Sequence, residues 1–209
     1  MKDTFPGKLI TFEGGEGAGK STQTGLLKEY LEEKGRPVIL TREPGGTRLG
    51  ESLREILLKS GGDIVPLAEL LLHQAARAQH LEEIIKPALR AGTFVLCDRF
   101  FDSTAAYQVF GGGVEEKTAG IINSVVGGDF APDLTVLLDI EPEAGLSRCH
   151  QPSSPDRYER KSPDFHNRVR RGFLTIADRE PERFFVLSAR KDIEELKSEI
   201  RKRVSAAFL

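Results

Sequence analysis

Residues 14–21 read Gly14-Gly15-Glu16-Gly17-Ala18-Gly19-Lys20-Ser21, a complete GxxxxGKS pattern. Glycines at this density let successive backbone N–H groups converge on one anion, and a helix opening at the lysine adds partial positive charge there. Gly14 to Thr22 would then cradle nucleotide phosphates, with Lys20 bridging the outer phosphates and the Ser21 hydroxyl helping to hold Mg²⁺. An unoccupied glycine-rich turn is the bland alternative. A second group, Asp98-Arg99, follows the apolar run Val95-Leu96-Cys97. An acid and a guanidinium at the carboxyl end of a strand stand where open α/β sheets bind ligands. Asp98 would serve the metal and Arg99 a phosphate, unless the two are simply bonded to each other. Neither NKxD nor DxxG occurs, which argues against a GTP-binding switch.

These groups need a frame. Short apolar runs at Lys8–Phe12, Pro37–Thr41, Thr93–Cys97, Leu134–Asp139 and Phe184–Leu187 alternate with segments of helical period. That alternation predicts a mostly parallel sheet covered by helices. The spacing predicts a helix from Lys20 that buries Leu26, Leu27, Tyr30 and Leu31 and ends at Gly35-Arg36-Pro37. A second helix over residues 49–59 would carry Leu49, Leu53, Ile56 and Leu57 on one face. A long one over residues 67–90 would bury Leu71, Ile84, Ile85 and Leu89. The last opens with Asp192 and Glu195 in capping-box spacing and buries Ile193, Leu196, Ile200 and Val204. His150–Pro163, with three prolines and several charges, reads as a lid, so that a single domain of residues 1–209 would carry a lid over about 148–163. The fold class expected is α/β: a P-loop NTPase-like three-layer sandwich, a five-stranded parallel sheet flanked by helices.

Composition bounds the partners. Thirty Lys+Arg stand against 32 Asp+Glu over 209 residues, a formal charge of −2, so no strongly basic face for nucleic acid is expected. The hydrophobic fraction of 39% suits a globular core rather than a disordered chain. Cys97 and Cys149 stand alone, which implies neither a disulfide framework nor structural zinc. No stretch has the length or apolarity of a membrane span or signal peptide, and the expected compartment is the cytoplasm.

The block DRFFDSTAAYQ (Asp98–Gln108) resembles the thymidylate kinase signature. TREPGGT (Thr41–Thr47), FEGGEGAGKST (Phe12–Thr22), AARAQH (Ala75–His80) and GDFAPDLTVLLD (Gly128–Asp139) resemble further motifs of that family in its bacterial form. The resemblance implies phosphorylation of dTMP by ATP with Mg²⁺ in a cytoplasmic homodimer, a related nucleoside monophosphate or deoxynucleoside kinase being the alternative. It implies that Glu16 contacts the deoxyribose 3′-hydroxyl and that Arg54 and Arg99 grip the dTMP phosphate. Arg54 could instead pair with Glu51 on its own helix. Glu43 matches an acidic residue near that phosphate. Arg77, Thr104 and Gln108 match groups at the base edge, and Tyr107 matches a ring that disfavours a ribose 2′-hydroxyl, core packing being its other reading. His73 stands where the family usually stacks a phenylalanine on thymine. Gly17 leaves the glycine loop without an arginine, so the resemblance assigns transition-state charge to the lid, with Arg157 as the matching arginine beside Lys20 and Arg99, and Arg160 and Lys161 as the other lid cations that could supply it. Arg148 matches a residue that packs on adenine.

Overall fold

Five parallel strands form the sheet in the order β2-β3-β1-β4-β5. They are β1 (Leu9–Glu13), β2 (Val38–Arg42), β3 (Phe94–Asp98), β4 (Leu134–Asp139) and β5 (Phe184–Ser188). Each overlaps an expected run, most displaced by one residue. The computed structural model describes residues 5–59, 63–149 and 156–209. Lid residues 150–155 lie outside the described residues.

The central strand alternates between two cores, as a strand buried on both faces must. Ile10 and Phe12 join Leu96, Val136 and Leu138 beneath α1 (Lys20–Glu33) and α9 (Ile193–Phe208), which contribute Leu27, Leu31, Leu196, Ile200 and Val204. Leu9 points to the other face, among Leu81, Ile85, Leu89, Val95, Cys97 and Phe100. On that second face α3 (Pro66–His80) runs through a π-helical turn, Leu81–Ile85, into α4 (Lys86–Arg90). The single helix expected over residues 67–90 is thus interrupted. Pro87 has no N–H for the preceding turn and its ring crowds that turn's carbonyl, so the helix widens before it.

A second widened helix carries chemistry. After β3, α5 (Phe101–Thr104) passes into π-helical Ala105–Gly111, which presents Tyr107 and Gln108. This segment packs on α8 (Pro163–Arg179), where Phe165, Val169 and Phe173 close a further core around Tyr107. The remaining helices are α2 (Arg48–Lys59), α6 (Glu116–Gly127) and α7 (Pro142–Arg148). The capping box at Asp192 and Glu195 forms as expected.

Several residues expected in the core are on the surface. Leu49 and Ile56 of α2 and Leu71 of α3 are each nearly half exposed, and Ile193 is 55% exposed. Of the four apolar residues expected on one face of α2, only Leu57 is buried. Amphipathic spacing marks an apolar face, but not what covers it.

Candidate active site

Register brings the two chemical segments together. Phe12 pairs with Asp98 across β1 and β3, and the Arg99 N–H donates to Phe12 O at 2.9 Å. The glycine loop after β1 therefore lies beside Asp98-Arg99 at the carboxyl ends of adjacent strands, in the crevice where open sheets take ligands. Gly19 adopts φ 90 at the start of α1, and Lys20 follows as its first residue. The Lys20 ammonium is buried and donates to Gly15 O at 2.8 Å and Gly14 O at 3.2 Å. Burial and then Arg99 push its pKa down, against Glu16 and Asp98.

Gly17 has a steric reason to lack a side chain. A Cβ there would meet Gly145 O of α7 at 1.9 Å, and one on Gly145 would meet Glu16 O at 2.3 Å. The loop thus packs backbone to backbone on α7. No arginine fits position 17 without displacing that helix.

Asp98 and Arg99 are not bonded to each other. Ser21 Oγ donates to Asp98 Oδ2 at 2.7 Å. Arg99 donates to Gly14 O at 2.9 Å, to Ser103 Oγ at 3.2 Å and to Glu16 Oε1 at 2.8 Å. Arg99 has φ 66, the one positive φ outside glycine among the described residues, a backbone state that persists only when its surroundings impose it. Glu13 helps impose it. Its carboxyl accepts from the Phe100 N–H at 2.7 Å and the Ser103 hydroxyl at 2.6 Å, which pins the chain just after the strained residue. Burial, then Asp102, pushes the Glu13 carboxyl up to about 8.

Two cavities meet at this point. One follows the glycine loop and is lined by Lys20, Ser21, Arg42, Asp98 and Arg148 among others. The other runs beneath α3 and is lined by His73, Arg77, Thr104, Tyr107, Gln108 and Tyr158. Glu16, Glu43, Arg54 and Arg99 line both. A second phosphate would have to sit at that junction, between two guanidinium forks. Burial opposes ionisation of Glu16, but Arg99, Lys20 and the Tyr107 hydroxyl outweigh it and hold the carboxyl at about 2.

A family model described as thymidylate kinase matches residues 12–200. The chain belongs to the thymidylate kinase family. It is 48% identical over 194 residues to the thymidylate kinase of Deinococcus radiodurans, covering 93% of this chain and 94% of that protein. With that of Pelotomaculum thermopropionicum the identity is 50% over 185 residues, covering 88% and 86%. The crystal structure of thymidylate kinase from Ehrlichia chaffeensis superposes with a TM-score of 0.77 at 38% identity, over 95% of this chain and 98% of that one.

Four of the five thymidylate kinase motifs read from sequence contribute residues to the two cavities, whereas Gly128–Asp139 lines neither, and the side chains differ in what each does. Arg54 does not pair with Glu51, which instead accepts from Arg42 and the Gly46 N–H; Arg54 donates to Pro44 O at 3.0 Å. Tyr107 does two things, packing on Phe165 and Phe173 while its hydroxyl donates to Glu16 at 2.7 Å. Glu43 accepts from Arg77 Nε at 2.7 Å and bonds His80 Nδ1 at 3.0 Å, and Arg77 Nη2 donates to Thr104 Oγ1 at 2.9 Å. His73 lines the cavity with its Nε2 2.9 Å from the Tyr158 hydroxyl. Burial, then Arg77 and Arg157, holds His73 at about 3, so it is neutral. Arg148 donates to Ala189 O and borders the groove between the glycine loop and the start of α9.

Arg157 lies apart from the glycine loop in this structure. Its guanidinium pairs with Glu69 of α3 and donates to Leu57 O of α2 at 2.9 Å. It does not line the cavity of the glycine loop, where the described cations are Lys20, Arg42, Arg54, Arg99 and Arg148. Glu69 on α3 and the Leu57 carbonyl on α2 hold it between those two helices, while its neighbours Asp156 and Tyr158 line the cavity beneath α3. Sequence reasoning gives no individual role to Glu13, Arg42, Glu69, His80 or Tyr158. Glu13, Arg42 and His80 fall inside quoted motifs, and Glu69 is an acid on the same helix as Arg77, which are the signals the sequence offers for them.

Proposed function

We propose that this chain transfers the γ-phosphoryl group of ATP to the phosphate of dTMP, forming dTDP for dTTP synthesis in the cytoplasm. The observation that carries this reading is the junction of two cavities at Glu16, Glu43, Arg54 and Arg99. A donor on the glycine loop and an acceptor beneath α3 would place their phosphates on either side of Arg99. An acceptor phosphate oxygen attacks the γ-phosphorus in line, and the bond to the ADP oxygen breaks. The chain's task is positioning and charge stabilisation, because this transfer asks for little covalent chemistry from the protein. Lys20 neutralises charge on the moving group, while Arg54 and Arg99 hold the acceptor. Arg77, Thr104 and Gln108 meet the base edge, and Tyr107 fills the space beside the sugar.

The Ser21 hydroxyl and Asp98 carboxylate, 2.7 Å apart beside the loop, are hard oxygen donors that suit Mg²⁺. Among the described residues no three His, Cys, Asp or Glu side chains gather, which fits an ion held largely by phosphate and water. When bound, Mg²⁺ would offset phosphate charge during transfer.

A coupled assay of ADP release with dTMP, dUMP, UMP and dCMP tests the activity. Turnover is expected to be fastest with dTMP, and absence of dTMP-dependent ADP release would overturn the proposal. Arg157→Ala is expected to raise KM for dTMP roughly tenfold with kcat little changed, since the residue ties the lid root to α3. A kcat loss of roughly 10²-fold at constant KM would return Arg157 to the transferring phosphate.

The homodimer rests on an exposed apolar surface. Leu49 and Ile56 of α2, Leu67 and Leu71 of α3, and Ile121 and Val125 of α6 are all exposed, Val125 at 81%. The three helices pack side by side, so these residues can form one face of the kind that marks association. Sedimentation equilibrium at micromolar concentration is expected to give a dimer, and Leu71→Glu with Val125→Glu a folded monomer. A monomeric unsubstituted chain would remove this part of the proposal.

A further inference from the structure

Glu69 lies in the first turn of α3, almost fully buried, and none of the roles above uses it directly. Three donors converge on its carboxylate. Gln108 Nε2 is 2.7 Å from Oε1, the Tyr158 hydroxyl is 2.8 Å from the same oxygen, and Arg157 pairs with Oε2. An ionised carboxylate only accepts, so the Gln108 atom facing it must be the amide NH₂. That nitrogen also reaches the Tyr158 hydroxyl oxygen at 3.3 Å. The Tyr158 proton goes to Glu69, so its oxygen is free to accept there. No donor among the described residues reaches Gln108 Oε1, and Gln108 lines the base-side cavity.

The complementary group is Arg77. Its Nε and Nη2 are engaged by Glu43 and Thr104, whereas Nη1 is buried without a partner. Of the residues lining the cavity, Arg77 therefore keeps one unused N–H donor and Gln108 an amide oxygen without a donor. We infer that Glu69 is a positioning residue for base selection: by holding Nε2 of Gln108 it turns the amide oxygen to the cavity, favouring a pyrimidine with N–H beside C=O over an aminopyrimidine.

The chemistry follows from the base edges. Thymine and uracil offer a ring N–H and an adjacent carbonyl, which satisfy an acceptor and a donor. Cytosine offers a bare ring nitrogen and an amino group, so both pairings become mismatches and buried groups go unpaired. Gln108 alone cannot enforce this, because a free amide flips to present either end. A carboxylate at Glu69 makes one orientation costly.

The inference rests on the dTMP kinase reading, and the experiment separates the two. For the full-length protein, kcat/KM is measured with dTMP and with dCMP. Glu69→Gln supplies an amide that can donate or accept, so Gln108 is released, and the dTMP/dCMP ratio is expected to fall at least about tenfold. Glu69→Asp keeps an acceptor-only carboxylate and is expected to lose activity on both substrates with the ratio largely retained. A structural role alone would lower both substrates together in Glu69→Gln and leave its ratio unchanged, which would overturn the inference. If the unsubstituted protein fails to use dTMP, the functional reading falls first. Should Glu69→Gln not fold, the side-chain NH₂ resonances of Gln108 in the unsubstituted protein decide. They are expected to stay protected from exchange when dTMP binds, and loss of that protection would overturn the assignment.

Discussion

Lys20→Ala is expected to lower kcat by at least roughly 10²-fold while the protein remains folded. The ammonium is held by Gly14 O and Gly15 O, two carbonyls of the loop that would surround the phosphates. These bonds fix its direction in advance, so little reorganisation remains when charge moves onto the transferred group. Burial and the nearby Arg99 make the charged form costly in the free protein, and phosphate oxygens would relieve that cost. Lys20→Ala should therefore fold at least as stably, and a thermal melt measured beside the kinetics separates the effects. A folded variant with near-normal turnover would remove the phosphate role of the loop.

The glycine loop was legible because its chemistry is local. Eight consecutive residues state the backbone shape, the cation and the helix start, and no distant partner is needed to interpret them. The strands were legible for a similar reason, since apolar runs bounded by glycine, proline or charge mark buried parallel strands. What escaped depends on pairs far apart in the chain. Arg157 looks like any lid arginine until Glu69 and the Leu57 carbonyl are seen beside it, 88 and 100 residues away. Glu69 itself reads as a helix-start acid, yet its carboxylate joins α3, the π-helical segment and the lid root. The apolar face of α2 was legible, but its exposure was not. Pro87 is a local signal of the interruption in the long helix, since a proline within a helical pattern breaks or widens the turn before it.

Arg99→Ala is expected to lower kcat/KM for the acceptor by roughly 10³-fold, because one guanidinium serves both cavities. Its fork holds the Glu16 carboxylate and the Gly14 carbonyl, and its Cζ lies 4.9 Å from the centroid of the Tyr107 ring. Removing it leaves the partly buried Glu16 with less cationic support, so its carboxyl should rise from about 2. The sign of the stability effect follows. A carboxyl held below its unfolded value stabilises the fold above about 4.5 and loses that contribution as pH falls toward about 2. The stability gap between the unsubstituted protein and Arg99→Ala should therefore be widest near neutral pH and narrow in acid. Backbone strain complicates alanine, because residue 99 sits at φ 66, where a Cβ is unfavourable. Arg99→Gly removes the same guanidinium and relieves that strain, so it should melt higher than Arg99→Ala while losing as much activity. Arg99→Lys keeps a positive charge near Glu16 but loses the planar fork, and should fall between the two extremes in kcat/KM. If Arg99→Gly were as active as the unsubstituted chain, the phosphate grip would belong to Arg54 alone. If Arg99→Lys were fully active, charge rather than bidentate geometry would be what the junction requires.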